Sequence, residues 1–190
     1  MAASVKKLSG TDWVKFFPDA GTTAALADAF RTGCENFIAA MRAGGAVVTI
    51  SSTRRPTERA YLMFYCWKIH LNTDGLATIP AKPGVDIDWV HRKPDGSIDL
   101  AKSQQAATAM VNGYGIAFPP ALNSRHVVGL AIDMSIAWTG ALSIRTQAGA
   151  ATQISSMPRD GFNLDLRKVG KDYGVIKHPS DAPHWSTDGK

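Results

Sequence analysis

Apolar residues recur at Leu26, Phe30, Cys34, Phe37, Ile38 and Met41 until Gly44-Gly45 interrupts them. That spacing predicts an amphipathic helix, with Thr22 and Thr23 as the candidate caps at its start. Ala46-Val47-Val48-Thr49-Ile50 then reads as a buried strand, and Ser51 to Arg55 as the loop leaving its end. Pro56 suits the first turn of a second helix, roughly Thr57 to Leu71. The middle of that helix, Tyr61 to Tyr65 and Trp67, is apolar nearly all round, so it is expected at the centre of the core.

Asn72 to Val85 is rich in Gly and Pro, Asp86 to Arg92 alternates as a strand does, and Lys93-Pro94-Asp95-Gly96 is a turn. A short helix is expected from about Leu100 to Val111, followed by a loop from Gly113 to Asn123. From Val127 to Trp138 the chain sets Leu130, Ile132, Met134 and Ile136 against Ala131, Asp133 and Ser135. This is a strand with one apolar face, and Asp133 points away from that face. Thr139-Gly140 could turn it into Ala141 to Thr146 as a hairpin, and Gln147 to Asp160 has no period and reads as a loop. A helix near Leu164 to Lys171, a strand from Tyr173 to Lys177 and a last strand from His184 complete the pattern, with no internal repeat and no linker.

At 190 residues the chain is long enough for one well-buried core and short for two, so a single domain is expected. Its 45% hydrophobic and 19% charged residues exclude the disordered and membrane classes. The net charge of +5 favours anionic partners, but the basic pairs Lys6-Lys7, Arg54-Arg55 and Arg167-Lys168 are scattered, so no nucleic-acid partner is expected. The longest apolar run, Ala60 to Trp67, is far short of the ~20 residues a bilayer requires, so no membrane insertion is expected. Met1 to Trp13 carries Lys6 and Lys7 with no apolar run behind them, unlike a secretory signal, and Ser4-Val5-Lys6-Lys7 fits S-x-x-K only formally. Cys34 and Cys66 stand in apolar stretches and in no C-x-x-C pattern; they read as core thiols, with a single bridge between them left open.

The chemistry concentrates in Ser124-Arg125-His126-Val127-Val128-Gly129-Leu130-Ala131-Ile132-Asp133 and in Asp181-Ala182-Pro183-His184-Trp185. His126 leaves a loop just before a strand, Gly129 allows an unusual backbone, Ala131 leaves space, and Asp133 lies two residues beyond it on the same face. His184 arrives with Pro183 stiffening its approach and Asp181 upstream as a further acid. Catalytic zinc is usually held by three nitrogen or oxygen ligands with a fourth position for water, and His126, Asp133 and His184 fit that count. A lone histidine is more often structural or exposed, and His70, His91 and His178 read as ordinary, although His178 lies near the closing motif and could line the site. Trp185 reads as packing beside the metal, and Trp13, Trp67, Trp89 and Trp138 as core or rim.

Ser124-x-His126-x-x-Gly129-x-Ala131-x-Asp133 resembles, at every defined position, the S-x-H-x-x-G-x-A-x-D motif of the zinc D-alanyl-D-alanine carboxypeptidases and L-alanyl-D-glutamate peptidases. Asp181-x-Pro183-His184-Trp185 resembles the closing motif of the same family. Val48-Thr49-Ile50-Ser51-Ser52-Thr53-Arg54 resembles its strand ending in Ser-Gly-Tyr-Arg, without the Gly and Tyr. The similarity covers about Ala46 to Arg59 and Ser124 to Trp185.

The resemblance implies that His126, Asp133 and His184 bind Zn2+ and that Asp181 is the general base and acid. It implies that Arg54, with Arg55 as competitor, holds a substrate carboxylate or the developing oxyanion, and that Ser124 binds substrate or supports a ligand. The implied fold is α+β, a Hedgehog/DD-peptidase-like central antiparallel sheet flanked by helices, as one zinc peptidase domain over residues 1–190. The implied activity is hydrolysis of peptidoglycan stem peptides by an endolysin-like enzyme, expected to be a monomer. Many members carry glutamate where Asp181 stands, and aspartate looks more like the L-alanyl-D-glutamate branch, so that bond is favoured over D-alanyl-D-alanine. The expected route is synthesis in the cytoplasm without a signal peptide and action on the cell wall or periplasm after holin-type or other export. The alternative from another class is a non-catalytic cell-wall-binding module with a structural zinc.

Overall fold

The computed structural model describes residues 6–190; Ser4 and Val5 of the formal S-x-x-K match lie outside the described residues. In chain order the elements are β1 (Lys7–Leu8), α1 (Asp28–Ala43), β2 (Val47–Ser52), α2 (Thr57–Leu71), β3 (Ile87–Asp88), α3 (Leu100–Tyr114), β4 (Ala131–Ala137), β5 (Leu142–Arg145), β6 (Ala151–Ile154), α4 (Leu164–Asp172), β7 (Ile176–Lys177) and β8 (His184–Ser186). This is an α+β content, and its largest sheet is antiparallel, with the order β2-β4-β8-β7. By its contacts the chain forms two compact units, one built from the chain through Pro18 with Pro56–Ser124, the other from Asp19–Arg55 with Arg125–Lys190. No helix of the described residues is long and apolar enough to cross a membrane.

In the first unit α2 packs on α3, and Leu62, Cys66 and Ile69 bury against Ala107, Met110 and Trp13. The apolar middle of α2 is therefore central to this unit's core, while the four-stranded sheet has a core of its own. Asp99 caps α3 by accepting from the Lys102 N–H at 2.9 Å. The helix runs past the expected end at Val111 to Tyr114, because the left-handed position that terminates it is Gly115, at φ 64°. The strand expected over Asp86 to Arg92 shrinks to Ile87–Asp88, which among the described residues pairs with Lys7–Leu8, in parallel. The turn at Lys93 forms as expected, with the Gly96 N–H donating to the Lys93 carbonyl at 2.9 Å.

In the second unit α1 and α4 bury Phe37, Met41, Leu166 and Val169 against Ile132, Met134 and Trp185 of the sheet. The period-two pattern of β4 is observed: Ile132, Met134 and Ile136 are buried, and Ser135 is exposed. The start of α1 is corrected. Thr23–Ala25 form a single 3-10 turn, Leu26 and Ala27 are extended, and the helix begins at Asp28 with no side-chain cap from Thr22 or Thr23. The cause is tertiary, for the Ala27 N–H is held by the Gly129 carbonyl at 3.0 Å and the chain cannot coil there.

The hairpin from β4 into β5 does not form, because β4 already has β2 on one side and β8 on the other. Instead β5 pairs antiparallel with β6, which lies inside the segment expected to be a loop. Leu142, Ile144 and Ile154 turn inward from that pair and explain it.

Cys34 and Cys66 are free and buried, so the bridge left open by the sequence is absent, and burial pushes each thiol up to about 12. Neither should react with iodoacetamide at pH 8 in the folded protein, and both should label once urea unfolds it. Phe37 is fully buried, with its ring 5.5 Å from that of Trp185 and 5.7 Å from that of Tyr173. Phe37→Ala should cost about 3–5 kcal/mol in urea unfolding.

Candidate metal centre

His126 stands in a tight turn that delivers the chain into β4. Its carbonyl accepts from the Arg55 N–H at 3.0 Å and the Gly129 N–H at 3.1 Å, and the Leu130 N–H closes on the Arg125 carbonyl at 2.8 Å. Gly129 is required here on two counts. Its φ is +73°, and a Cβ would lie 3.1 Å from Ala27 N and 3.2 Å from Ala25 O. The motif glycine is thus a backbone joint between the His126 turn and the segment that leads into α1.

Asp133 and His184 are placed by sheet register. They stand directly opposite one another on β4 and β8, and directly opposed residues in an antiparallel pair share a face. The neighbouring pair, Ile132 opposite Trp185, goes to the other face and into the core. Trp185 therefore packs beneath the metal group as a fully buried core residue.

The three side chains converge. His126 Nε2 lies 3.2 Å from Asp133 Oδ1 and 3.2 Å from His184 Nδ1, and His184 Nδ1 lies 3.1 Å from Asp133 Oδ1. Tetrahedral ligands bonded to zinc at about 2.0–2.1 Å would sit about 3.3 Å apart, close to these separations. The outer ring nitrogens account for the protons. His126 Nδ1 faces the Thr53 carbonyl at 2.5 Å and His184 Nε2 the Lys190 carbonyl at 3.1 Å, and a carbonyl can only accept. Each imidazole accordingly carries its proton on the outer nitrogen and turns a lone pair inward, the arrangement a ligating histidine has.

Three inward lone pairs at such distances repel one another unless a cation lies among them, so the donor set fits a divalent metal ion. Asp133 Oδ1 stands within 3.2 Å of both inward nitrogens, so its carboxylate completes the donor set.

Asp181 is joined to this group through its backbone. The His184 N–H donates to the Asp181 carbonyl at 3.2 Å, which closes Asp181–His184 into one turn, while the Asp181 carboxylate is not among the clustered donors. Arg54 is exposed and its carbonyl accepts from the Ala20 N–H at 2.9 Å. The competing Arg55 is engaged elsewhere, its Nε and Nη2 each 3.1 Å from Asp19 Oδ2. Ser124 belongs to the first unit, and its Oγ is buried without a hydrogen-bond partner. In that unit His70 bonds Thr108 and His91 bonds Ser9, as ordinary structural histidines do.

Several neighbours of the centre were not singled out by motif. Thr53 and Lys190 act through backbone carbonyls, which no side-chain pattern reveals. The His178 ring packs edge-on to that of His184 at 5.7 Å, and its Nδ1 accepts from the Asp181 N–H at 3.0 Å. Lys177 is buried, and its Nζ donates to the carbonyls of His178, Asp181 and His184. Burial, helped by the nearby Arg167 charge and opposed by Asp181, Asp133 and Asp160, brings its pKa down to about 8. One signal in the sequence did point to Lys177: it stands two residues beyond the inward-facing Val175. Beside the Asp181–His184 turn an open depression of about 380 Å³ is lined by Ser51, Ser135, Asp160, Phe162, Ala182 and Pro183.

No protein-family model and no curated protein matches the chain.

The purified protein should bind one divalent ion such as zinc, and His126→Ala or Asp133→Ala should abolish that binding in a chelator-competition titration.

Proposed function

We propose that the chain is a zinc-dependent peptidase that hydrolyses peptide bonds in peptidoglycan stem peptides, with a Hedgehog/DD-peptidase-like fold around its antiparallel sheet. The observation that carries this reading is the convergence of His126, Asp133 and His184 with both imidazoles held in the ligating tautomer. The same residues bear the motifs through which the sequence resembles the D-alanyl-D-alanine and L-alanyl-D-glutamate peptidases.

A zinc ion held there would supply Lewis acidity, lowering the pKa of water and polarising an amide carbonyl. The remaining work falls to the chain. Asp181, brought beside His184 by their shared turn, accepts the proton of the attacking water and returns it to the leaving amine. Arg54 offers a guanidinium suited to a substrate carboxylate or the oxyanion, and the engagement of Arg55 with Asp19 favours Arg54 for that part. The depression lined by Ala182 and Pro183 of the Asp181–His184 turn offers room for substrate. Aspartate in place of glutamate at 181 favours the L-alanyl-D-glutamate bond.

Mass spectrometry of fragments released from purified peptidoglycan tests both the activity and the bond. Asp181→Asn should keep its zinc and lose about 10²–10⁴-fold in cleavage rate, because the substitution removes the base and leaves the ligands in place. Stoichiometric zinc without cleavage of any wall peptide would sink this reading and leave the non-catalytic wall-binding module in its stead.

A further inference from the structure

Lys177 is a charged residue that the core should reject, and the way it is accommodated gives it a role. It is only 6% exposed, and a buried ammonium is tolerable only when its protons are all engaged. Lysine has three donors and no acceptor. Here they meet three carbonyls: His178 O at 2.9 Å, Asp181 O, and His184 O at 3.2 Å. Those carbonyls belong to the first residue of the loop between β7 and β8, to its middle, and to the first residue of β8 itself.

The same loop is closed on itself, since the His178 N–H donates to the His184 carbonyl at 3.0 Å and the Asp181 N–H to His178 Nδ1 at 3.0 Å. The rings of Phe162 and Trp185 flank the ammonium at 4.8 and 5.7 Å. Removing Lys177 would take a donor from each of three converging carbonyls, leaving those of Asp181 and His184 only the N–H groups of His184 and His178, and the loop that leads into one candidate metal ligand would lose its internal post.

We propose that Lys177 is the positioning residue of the metal centre: by tying the His178, Asp181 and His184 carbonyls to one ammonium, it sets the His184 imidazole and the Asp181 carboxylate against Asp133. The catalytic part of this assignment rests on the peptidase reading, and the metal-positioning part does not. Loss of a merely stabilising lysine would lower resistance to urea and leave the affinity of the folded protein for metal unchanged.

The test uses the full chain and zinc, with affinity read by competition against a chromophoric chelator. In Lys177→Met the zinc Kd should rise about 10- to 100-fold, the usual cost of losing a residue that orients a ligand. In the metal-free protein, amide exchange at Asp181 and His184 should quicken while that at Val48 and Met134 stays as in the parent. On wall peptides kcat should fall with KM nearly unchanged, since the groups displaced act on the reacting bond. Lys177→Arg keeps the charge, but its planar fork cannot gather three carbonyls around one nitrogen, so its zinc Kd should fall between those of the parent and Lys177→Met. A folded Lys177→Met with a zinc Kd within about threefold of the parent's would overturn the proposal. If that variant does not fold, an unchanged Kd in Lys177→Arg overturns it instead. Should the parent bind zinc and cleave nothing, the peptidase reading fails and the affinity ratio still decides the role of Lys177; a parent that binds no zinc ends both.

Discussion

The antiparallel register that sets Asp133 against His184 is the constraint on which the rest of the centre depends. A slip of one residue along β8 would bring Trp185 to the metal face and drive His184 into the core, since successive strand residues alternate between faces. The register is held from below by the burial of Trp185 against Phe37, with its ring 5.5 Å away. On the far side, β7 pairs Lys177 with Trp185 and adds a second edge to the short β8 strand. The hydrophobic core therefore acts on the chemistry indirectly, through the side of the strand on which each residue is compelled to lie.

Around this pair the polar groups form a second layer made largely of backbone. The carbonyls of Thr53 and Lys190 decide which nitrogen of each imidazole is left with a lone pair, and the carbonyls of the His178–His184 loop gather on Lys177. The Gly129 carbonyl holds Ala27 and thereby delays the start of α1, so one glycine couples the ligand turn to a helix remote from it in sequence. Such groups are satisfied with little excess, which is the condition for a buried polar network to rigidify a site. The candidate metal donors, the turn bearing Asp181, and Arg54 all come from the same compact unit, assembled from two stretches of chain.

Long periodic segments were legible because their pattern and their environment agree. The helix read at Thr57 to Leu71 and the β4 alternation of Ile132, Met134 and Ile136 bury the faces their spacing dictates. What failed was decided by partners. The caps at Thr22 and Thr23 lost to the Gly129 carbonyl, the β4–β5 hairpin lost to β8, and β6 was missed because Ala151–Ile154 is too short to show a period of its own. His126, Asp133 and His184 could be named beforehand because they are rare side chains in a distinctive spacing. For Lys177 the period-two spacing from Val175 is the one local signal, and residue type opposes it, because a lysine at a strand end is ordinarily solvated.

By itself the amino-acid order determined which side chains could ligate a metal and which faces had to be buried, because both follow from residue type and local period. Only the tertiary structure decided the tautomers of His126 and His184, the engagement of Arg55 by Asp19 and the burial of Lys177. The His126 tautomer depends on a partner 73 residues away and the Arg55 pairing on one 36 residues away, while His184 and Lys177 meet backbone oxygens near in sequence that become partners only once the segment from β7 to β8 has folded. No local pattern can encode such a choice, and it is made when β8 closes on β4.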